Sequence, residues 1–275
     1  MLDFLFYNFS SYICMVRKKC RIVQKNYKVL TNIESLQTIE SSTFNIHVCK
    51  YHFASNSQYA AQILPPPKTI NTNYNIRTIY HRHLQNGLQR DAVTGWLLYA
   101  SFYYVTEQYN ETIRLTEYVL SKCASDMVFL GKNYYSEADI DNYRHNVHPS
   151  IPLNVKMKTA VVDDVTYLQH SSLIPKELEL EVEDGCFKIP PFTICHCLRF
   201  LCYHHIGDTF NKQQALCHLH STYYMSTTVI SNTLTLFGVC SEISGDKDEA
   251  VHCYDEALRC VFSTCSKRKS RLLNI

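Results

Sequence analysis

The chain has 275 residues, of which 46% are hydrophobic, and its 27 Lys and Arg nearly balance 25 Asp and Glu to give a net charge of +2. This composition suffices to bury a core but lacks the basic footprint of nucleic-acid-binding proteins, so no nucleic acid partner is expected. Only 7 Gly and 8 Pro stand beside 20 Tyr and 13 Phe, which argues against a turn-rich β protein and favours long helices.

The N-terminal segment, residues 1–64, carries one predicted helix near residues 51–64, where small and apolar residues follow a helical pattern. Three consecutive prolines, 65–67, follow this helix. Proline cannot continue a helix, so residues 65–79 are interpreted as a Pro-rich linker. The remainder, residues 80–275, is predicted to form a helical repeat-like domain.

Residues 1–16 are apolar and precede a basic run that begins at Arg17. The apolar run is too short to span a bilayer and contains Asp3, so no membrane association is expected. The first forty residues fit none of the repeat pattern described below. They motivate the hypothesis that the chain is an incomplete gene product, which a full-length transcript sequence would test.

A short helix over residues 80–89 and two amphipathic helices, 92–108 and one from Tyr109 onward, are predicted next. Asp91 is placed to cap the first long helix, because its carboxylate can accept the free amide hydrogens of a helix start. Apolar residues recur at helical spacing along the two helices at Trp96, Ala100, Tyr103, Tyr109, Ile113 and Leu120. The pattern predicts two helices joined by a tight turn near Gln108.

The same pattern recurs near the C-terminus, where Leu234 and Phe237 lie on one predicted helix face before a Gly-Asp turn. The residues that match the repeat positions there are Gly238, Gly245, Ala250, Tyr254 and Ala257. This order resembles the tetratricopeptide repeat, in which small residues and a turn glycine let two helices pack closely. In the earlier copy, Glu107, Thr112 and Val119 replace the turn glycine and the small residues.

A weaker copy lies over residues 194–219, with a turn at Gly207 and Asp208. Aligning its Ala215 with the small position of the repeat requires an insertion of about three residues after the turn. Two fair copies and one degenerate copy, not contiguous in sequence, predict a series of helix pairs.

An insert from about residue 125 to residue 191 interrupts the pairs. It is rich in loops, with a short helix predicted over residues 160–168 and a strand over residues 177–182, where Leu and Val alternate with Glu. The strand is predicted to turn at an Asp-Gly pair and return through Phe187 and Ile189 as a small β-hairpin. The predicted fold class is therefore mainly all-α, with degenerate tetratricopeptide-like helix pairs and this insert.

A second resemblance covers the chain from about residue 45 to residue 275. Four stretches resemble the C-terminal helical region of molluscan Mab-twenty-one-like proteins, which belong to the cyclic GMP-AMP synthase-like group: HRHLQNGLQRDAVTGWLLYASFYYVTEQYN, VDDVTYLQHSSLIPKELELEV, PPFTICHCLRFLCYHHIGD and GVCSEISGDKDEAVHCYDEAL. The resemblance implies that the chain is the tail of a nucleotidyltransferase-fold architecture. That family holds nucleotide phosphates at a Gly-Ser or Gly-Gly turn, whereas no glycine here precedes Ser or Gly. No transferase activity is therefore predicted.

Two candidate metal sites have plainer alternatives. Glu177, Glu179, Glu181 and Glu183 would share one face of a strand and could bind Mg²⁺, but a solvated edge-strand face is the preferred interpretation. The densest set of soft ligands is Cys195, His196, Cys197, Cys202, His204, His205, Cys217, His218 and His220. Zinc could bind there, yet the spacing lacks the compact knuckles of structural zinc sites, so helix packing with surface histidines is preferred.

Enzymatic chemistry has no sequence signature. Walker, dinucleotide-binding and His-Glu-x-x-His motifs are absent from the sequence, and a Cys/His nucleophilic pair has no local motif to support it. The 13 cysteines are odd in number and contain no Cys-x-x-Cys pair, which indicates a reduced, cytoplasmic protein.

These features predict a non-catalytic scaffold for protein–protein interaction that needs no cofactor. Its partner, a protein or peptide, is expected in a groove lined by Trp96, Tyr99 and Tyr103, where aromatic anchors drive binding. The alternative is a C-terminal fragment or diverged member of a nucleotidyltransferase-fold innate-immune sensor that lacks its catalytic half. Nucleotide turnover with Mg²⁺ would favour that alternative.

Overall fold

The computed structural model describes residues 20–39, 42–67, 74–123, 127–130, 136–146, 151–183, 185–223 and 230–260. Within these ranges the chain is mainly helical with a few short strands, which confirms the predicted all-α class with a small β element. No helix among the described residues has the length and apolar character that a membrane crossing requires.

Helices account for most of the described chain. They are α1 (Cys20–Ile39), α2 (Thr43–Ile63), α3 (Tyr74–Gly87), α4 (Thr94–Val105), α5 (Tyr109–Lys122), α6 (Glu137–Asn146), α7 (Leu153–Ala160), α8 (Pro191–Ile206), α9 (Thr209–Tyr223), α10 (Ile230–Ser244) and α11 (Lys247–Arg259). The short elements are β1 (Val128–Phe129), β2 (Val161–Val162), β3 (Val165–Tyr167), a 3-10 helix (Lys176–Val182) and β4 (Phe187–Ile189).

Two compact units divide the chain, and the first comprises residues 1–95, 124–130 and 134–163. In its described part, α2 packs against α1, α3 and α7. The strands β1 and β2 pair in parallel. An apolar core cluster joins them to α2 and α7 through Tyr51, Leu130, Met157 and Val161.

A buried polar network stabilises the first unit at the end of α3. The Arg90 guanidinium forms an ion pair with Asp163, and both side chains are less than 10% exposed. Its second nitrogen donates to the Gln58 side-chain oxygen at 2.9 Å. Asp91 accepts the backbone N–H groups of Val93 at 2.9 Å and of Thr94 at 2.7 Å, as predicted for a helix start, but α4 begins at Thr94 and not at the predicted residue 92.

The second unit comprises residues 96–123, 131–133 and 164–275, and α4 enters it at Trp96. It contains three antiparallel helix pairs: the first pair is α4 and α5, the second pair is α8 and α9, and the third pair is α10 and α11. Within this unit α5 packs against α8, and α10 packs against both α8 and α9. The three pairs are therefore neighbours in space although the insert separates the first two in sequence.

Two features of the predicted organisation are corrected. Helix α3 begins at Tyr74, six residues before the helix predicted over residues 80–89. The short helix predicted over residues 160–168 is replaced by β2 and β3, since β-branched residues such as Val161 and Val165 favour extended backbone. The predicted domain limits of 1–64, 65–79 and 80–275 stay a prediction.

The predicted hairpin has the right second strand and the wrong first strand. Phe187–Ile189 forms β4, but it pairs antiparallel with β3, Val165 opposite Ile189. Residues 177–182 lie instead in the 3-10 helix that follows Pro175, where the Leu178 N–H donates to the Pro175 carbonyl at 2.9 Å. The four glutamates 177, 179, 181 and 183 therefore do not share one strand face.

Candidate interaction surface

The same turn joins the two helices of every pair in the second unit. Its central residue is left-handed each time: Glu107 with φ 63°, Gly207 with φ 82° and Gly245 with φ 92°. Glycine adopts this region freely, whereas a side chain opposes it. The first pair therefore reaches with Glu107 a conformation that the other two pairs reach with glycine.

Matching hydrogen bonds close the three turns. The residue after the left-handed position donates its N–H to the carbonyl five residues earlier: Gln108 to Tyr103 at 2.8 Å, Asp208 to Tyr203 at 3.0 Å and Asp246 to Ser241 at 3.0 Å. The left-handed residue itself donates to the carbonyl three residues earlier, at 2.9, 3.3 and 3.0 Å. This is the Schellman arrangement of a helix C-terminus.

The length of the turn is also the same, because each following helix begins two residues after the left-handed position, at Tyr109, Thr209 and Lys247. No insertion follows Gly207, which corrects the predicted alignment of the weak copy. Counted from the left-handed residue, the position of Ala250 in the third pair is occupied in the second pair by Lys212 and not by Ala215.

Close packing in the third pair depends on one glycine. A Cβ at Gly238 would lie 2.5 Å from a ring carbon of Tyr254, which is a severe steric clash. Tyr254, Ala250 and Ala257 are all fully buried. The Tyr254 hydroxyl donates to the Glu242 carboxylate at 2.9 Å, which fixes the ring over the glycine. The small residues picked out by the repeat pattern thus lie in this helix interface.

The first pair packs with different chemistry at the corresponding positions. Ala100 stands in place of Gly238, and the Thr112 hydroxyl donates to the Ala100 carbonyl at 3.1 Å, with the Gln108 carbonyl of its own turn a longer second acceptor at 3.4 Å. Trp96 packs edge-on against Tyr118 of α5, with ring centroids 4.9 Å apart. A polar hydrogen bond and an aromatic contact therefore join these two helices.

The aromatic residues predicted to line a partner groove lie on α4 and contact one another or α5. Tyr99 and Tyr103 stack with centroids 5.2 Å apart and nearly parallel planes. Tyr99 is only 9% exposed, and Trp96 and Tyr103 are half-buried. Most of the surface of these rings is already used for packing within the protein.

The insert lies against the first helices of all three pairs. Its part within the second unit, residues 165–183 and 185–189, is called the covering segment. The Tyr167 hydroxyl lies 2.6 Å from the Ser101 hydroxyl on α4, and Asn232 on α10 donates to the Lys188 carbonyl at 2.7 Å. On α8, the ring nitrogen Nε2 of His205 lies 3.2 Å from the Glu177 carboxylate. The covering segment therefore occupies this side of the array.

His205 links the covering segment to the first pair. Its Nε2 also lies 3.0 Å from the Tyr104 hydroxyl, and its ring stacks on Tyr109 with centroids 5.0 Å apart. Burial, together with the Glu177 carboxylate, raises the pKa of Tyr104 far above its usual value. Tyr104 and His205 thus form a hydrogen-bonded contact between the first and second pairs.

Two large apolar side chains are exposed where the second pair turns. Ile206 is 48% exposed and Phe210 is 77% exposed. They flank Gly207 in the sequence, and Ile206 directly follows His205, whose ring stacks on Tyr109. Tyr109, His205, Ile206 and Phe210 are together called the turn surface.

The exposure of Phe210 was not predicted, although its position in the sequence carries a weak signal. Phe210 lies five residues before Ala215, which is about 140° round a helix of 3.6 residues per turn. Ala215 and Leu219 are buried, so a residue that far from their face points toward solvent. A phenylalanine out of phase with the buried face was therefore detectable in the sequence.

The cysteines and histidines of the predicted soft-ligand set are dispersed. Cys195, Cys197 and Cys202 are fully buried in α8, as expected for small apolar side chains, while Cys217 is exposed on α9. Cys195 donates to the Thr116 carbonyl at 3.4 Å. His196 lies 5.2 Å from His218, ring centre to ring centre, and burial lowers the pKa of His196 to about 4. Among the residues that the structure describes, no three such side chains converge as a metal site would require.

A comparison of the chain with family models, curated proteins and solved structures finds no match.

Proposed function

We propose that this chain is a non-catalytic scaffold that binds a protein partner through the turn surface. The observation that carries the proposal is the exposed Ile206 and Phe210 pair on an array of three helix pairs that share one turn. Arrays of stacked helix pairs present extended binding surfaces, and an exposed apolar patch on such an array is a natural contact site.

The turn surface is preferred to the two other faces for physical reasons. The side formed by the first helices is occupied by the covering segment, through Tyr167, Glu177 and Lys188. The groove first expected at Trp96, Tyr99 and Tyr103 offers less free surface, because these rings pack on one another and on α5. Phe210 has most of its ring available to a partner.

Binding would be driven by burial of the two apolar side chains. Fully burying a Phe or an Ile side chain contributes roughly 1.5–3 kcal/mol, so two such anchors supply a large share of the free energy of a moderate interface. The neighbouring His205 and Tyr109 would form the edge of the contact, since both carry polar atoms beside an aromatic ring. The partner should present an apolar pocket or groove.

The resemblance to the tetratricopeptide repeat belongs to the same proposal. It is supported by the shared turn and by the Gly238–Tyr254 contact. A cytoplasmic location is also proposed, supported by ten described cysteines that are thiols. Fractionation of cells that express the full chain tests the location, and recovery in a membrane or secreted fraction would contradict it.

Affinity purification with the full chain tests the function. Phe210→Ala is the variant of choice, because a 77% exposed ring can be removed with little effect on folding. Leu258→Ala is the control, since Leu258 is an apolar residue of α11 that is 37% exposed and is not part of the turn surface. Partners that are kept by wild type and by Leu258→Ala but lost by Phe210→Ala support the proposal. Equal recovery of the same partners by all three proteins contradicts it.

A further inference from the structure

Two buried cysteines of different helix pairs touch in the second unit. Cys197 lies on α8 of the second pair and Cys240 on α10 of the third pair, and their sulfur atoms are 3.8 Å apart. Both side chains have no exposed surface. Both are thiols, and 43 positions separate them in sequence.

The two sulfur atoms are in van der Waals contact but not at bonding distance. A disulfide has an S–S length of about 2.05 Å, so the two sulfurs would have to move closer by about 1.8 Å. The helices that carry them are already in contact. A disulfide would form only if a movement of the side chains or of α8 against α10 closed the remaining gap between the sulfurs.

We propose that Cys197 and Cys240 form a reversible disulfide that locks the second helix pair to the third when the protein meets a peroxide. The inference is independent of the proposed partner surface. The Cys197–Cys240 contact would then be a site that oxidants modify, while the other cysteines remain thiols.

The chemistry balances with hydrogen peroxide as the oxidant. The thiolate of one cysteine attacks a peroxide oxygen, the O–O bond breaks, and the leaving hydroxide takes up the thiol proton to give a sulfenic acid and one water. The second thiolate attacks the sulfenic sulfur, and the displaced hydroxide takes up the second proton as water. Two thiols and one peroxide thus yield one disulfide and two waters. A small oxidant is required because both sulfurs are buried.

A neighbouring cysteine of α8, Cys195, provides the matched control. Cys195 lies two residues away on α8 and is equally buried, but its thiol is directed to the Thr116 carbonyl of the first pair at 3.4 Å. Cys195→Ala should therefore leave the proposed disulfide intact, whereas Cys240→Ala should abolish it.

The test uses the full chain treated with a small excess of hydrogen peroxide, then unfolded with a thiol-blocking reagent and digested without reduction. Mass spectrometry should find the peptide that joins Cys197 to Cys240 in wild type and in Cys195→Ala. The oxidised protein should also melt roughly 5–10 °C higher than the reduced protein, because the cross-link removes conformations from the unfolded chain, and dithiothreitol should reverse the shift.

Either of two results would overturn the proposal. One is a wild-type protein in which Cys197 and Cys240 are recovered as blocked thiols or as separate sulfinic acids while other cysteines are cross-linked. The other is a Cys197–Cys240 peptide without any change in melting temperature. The mapping of wild type decides the question even if Cys240→Ala does not fold.

Discussion

The first and third helix pairs build one turn from different residues. The third pair uses Gly245 followed by Asp246, whose carboxylate accepts the Glu249 N–H at 3.1 Å and caps the next helix. The first pair uses Glu107 followed by Gln108, which makes no such cap. Both turns nevertheless close with the same pair of backbone hydrogen bonds. The turn therefore does not require glycine, although glycine lowers its conformational cost.

The helix interfaces of these two pairs also use different residues at corresponding positions. In the third pair Gly238 leaves room for the buried Tyr254 ring. In the first pair Ala100 takes the place of the glycine and receives a hydrogen bond from Thr112. The third pair should therefore tolerate no increase in side-chain size, whereas the first pair should depend on a polar contact.

The largest expected effect is at Gly238. Gly238→Ala should destabilise the protein by about 2–3 kcal/mol, because the new Cβ overlaps a buried ring that cannot move away. Thermal unfolding followed by circular dichroism measures the loss. Gly185→Ala is the control, since nothing lies within 4 Å of a Cβ there. If Gly238→Ala melts like the control, the two helices are not in the described contact.

Gly245→Ala should have a smaller effect, about 1–2 kcal/mol, because an alanine is forced to remain in the left-handed region. A Cβ there meets no atom within 4 Å, so the cost is conformational rather than steric overlap with a neighbour. Hydrogen exchange of α10 and α11 should show faster exchange at their joined ends. Unchanged exchange would show that the left-handed conformation at Gly245 is not required.

Thr112→Val should cost about 1 kcal/mol through the loss of one buried hydrogen bond between helices. The single tryptophan of the chain, Trp96, lies in the same pair and reports its unfolding by fluorescence in urea. Thr116→Val is the matched control, because the equally buried Thr116 hydroxyl bonds within its own helix, to Ile113 at 2.7 Å. Equal losses for the two variants would argue against a specific role of the Thr112 contact.

The smallest predicted effect has the opposite sign. Glu107→Gly should stabilise the first pair by about 0.5–1 kcal/mol, because glycine removes the side-chain cost of the left-handed turn. Glu107→Ala keeps a Cβ and should give no such gain. Urea unfolding monitored at Trp96 compares the two. A destabilised glycine variant would mean that the Glu107 side chain holds the turn itself.

Local patterns in the sequence were sufficient for several parts of this structure. The turn near Gln108 and the Asp91 cap follow from short-range rules of helix ends. The Gly238 and Tyr254 positions follow from spacing within one helix pair. Each of these features depends on residues close together in the chain.

Features that depend on distant residues could not be predicted. Alternating Leu and Val after Pro175 suit a strand, but in the structure Leu178 and Glu181 lie on the buried side of a 3-10 helix. The partner of β4 is β3, which only the folded arrangement of the insert selects. The position of the covering segment against three helix pairs likewise depends on contacts such as Tyr167 with Ser101.

Photo-crosslinking in cells shows directly whether the turn surface binds another protein. A benzophenone amino acid replaces Phe210 in one full-length chain and Leu258 in another, and the two chains are irradiated in parallel. We expect a discrete covalent adduct with another protein from position 210 and none from position 258. Adducts of equal yield from both positions, or from position 258 alone, would contradict it.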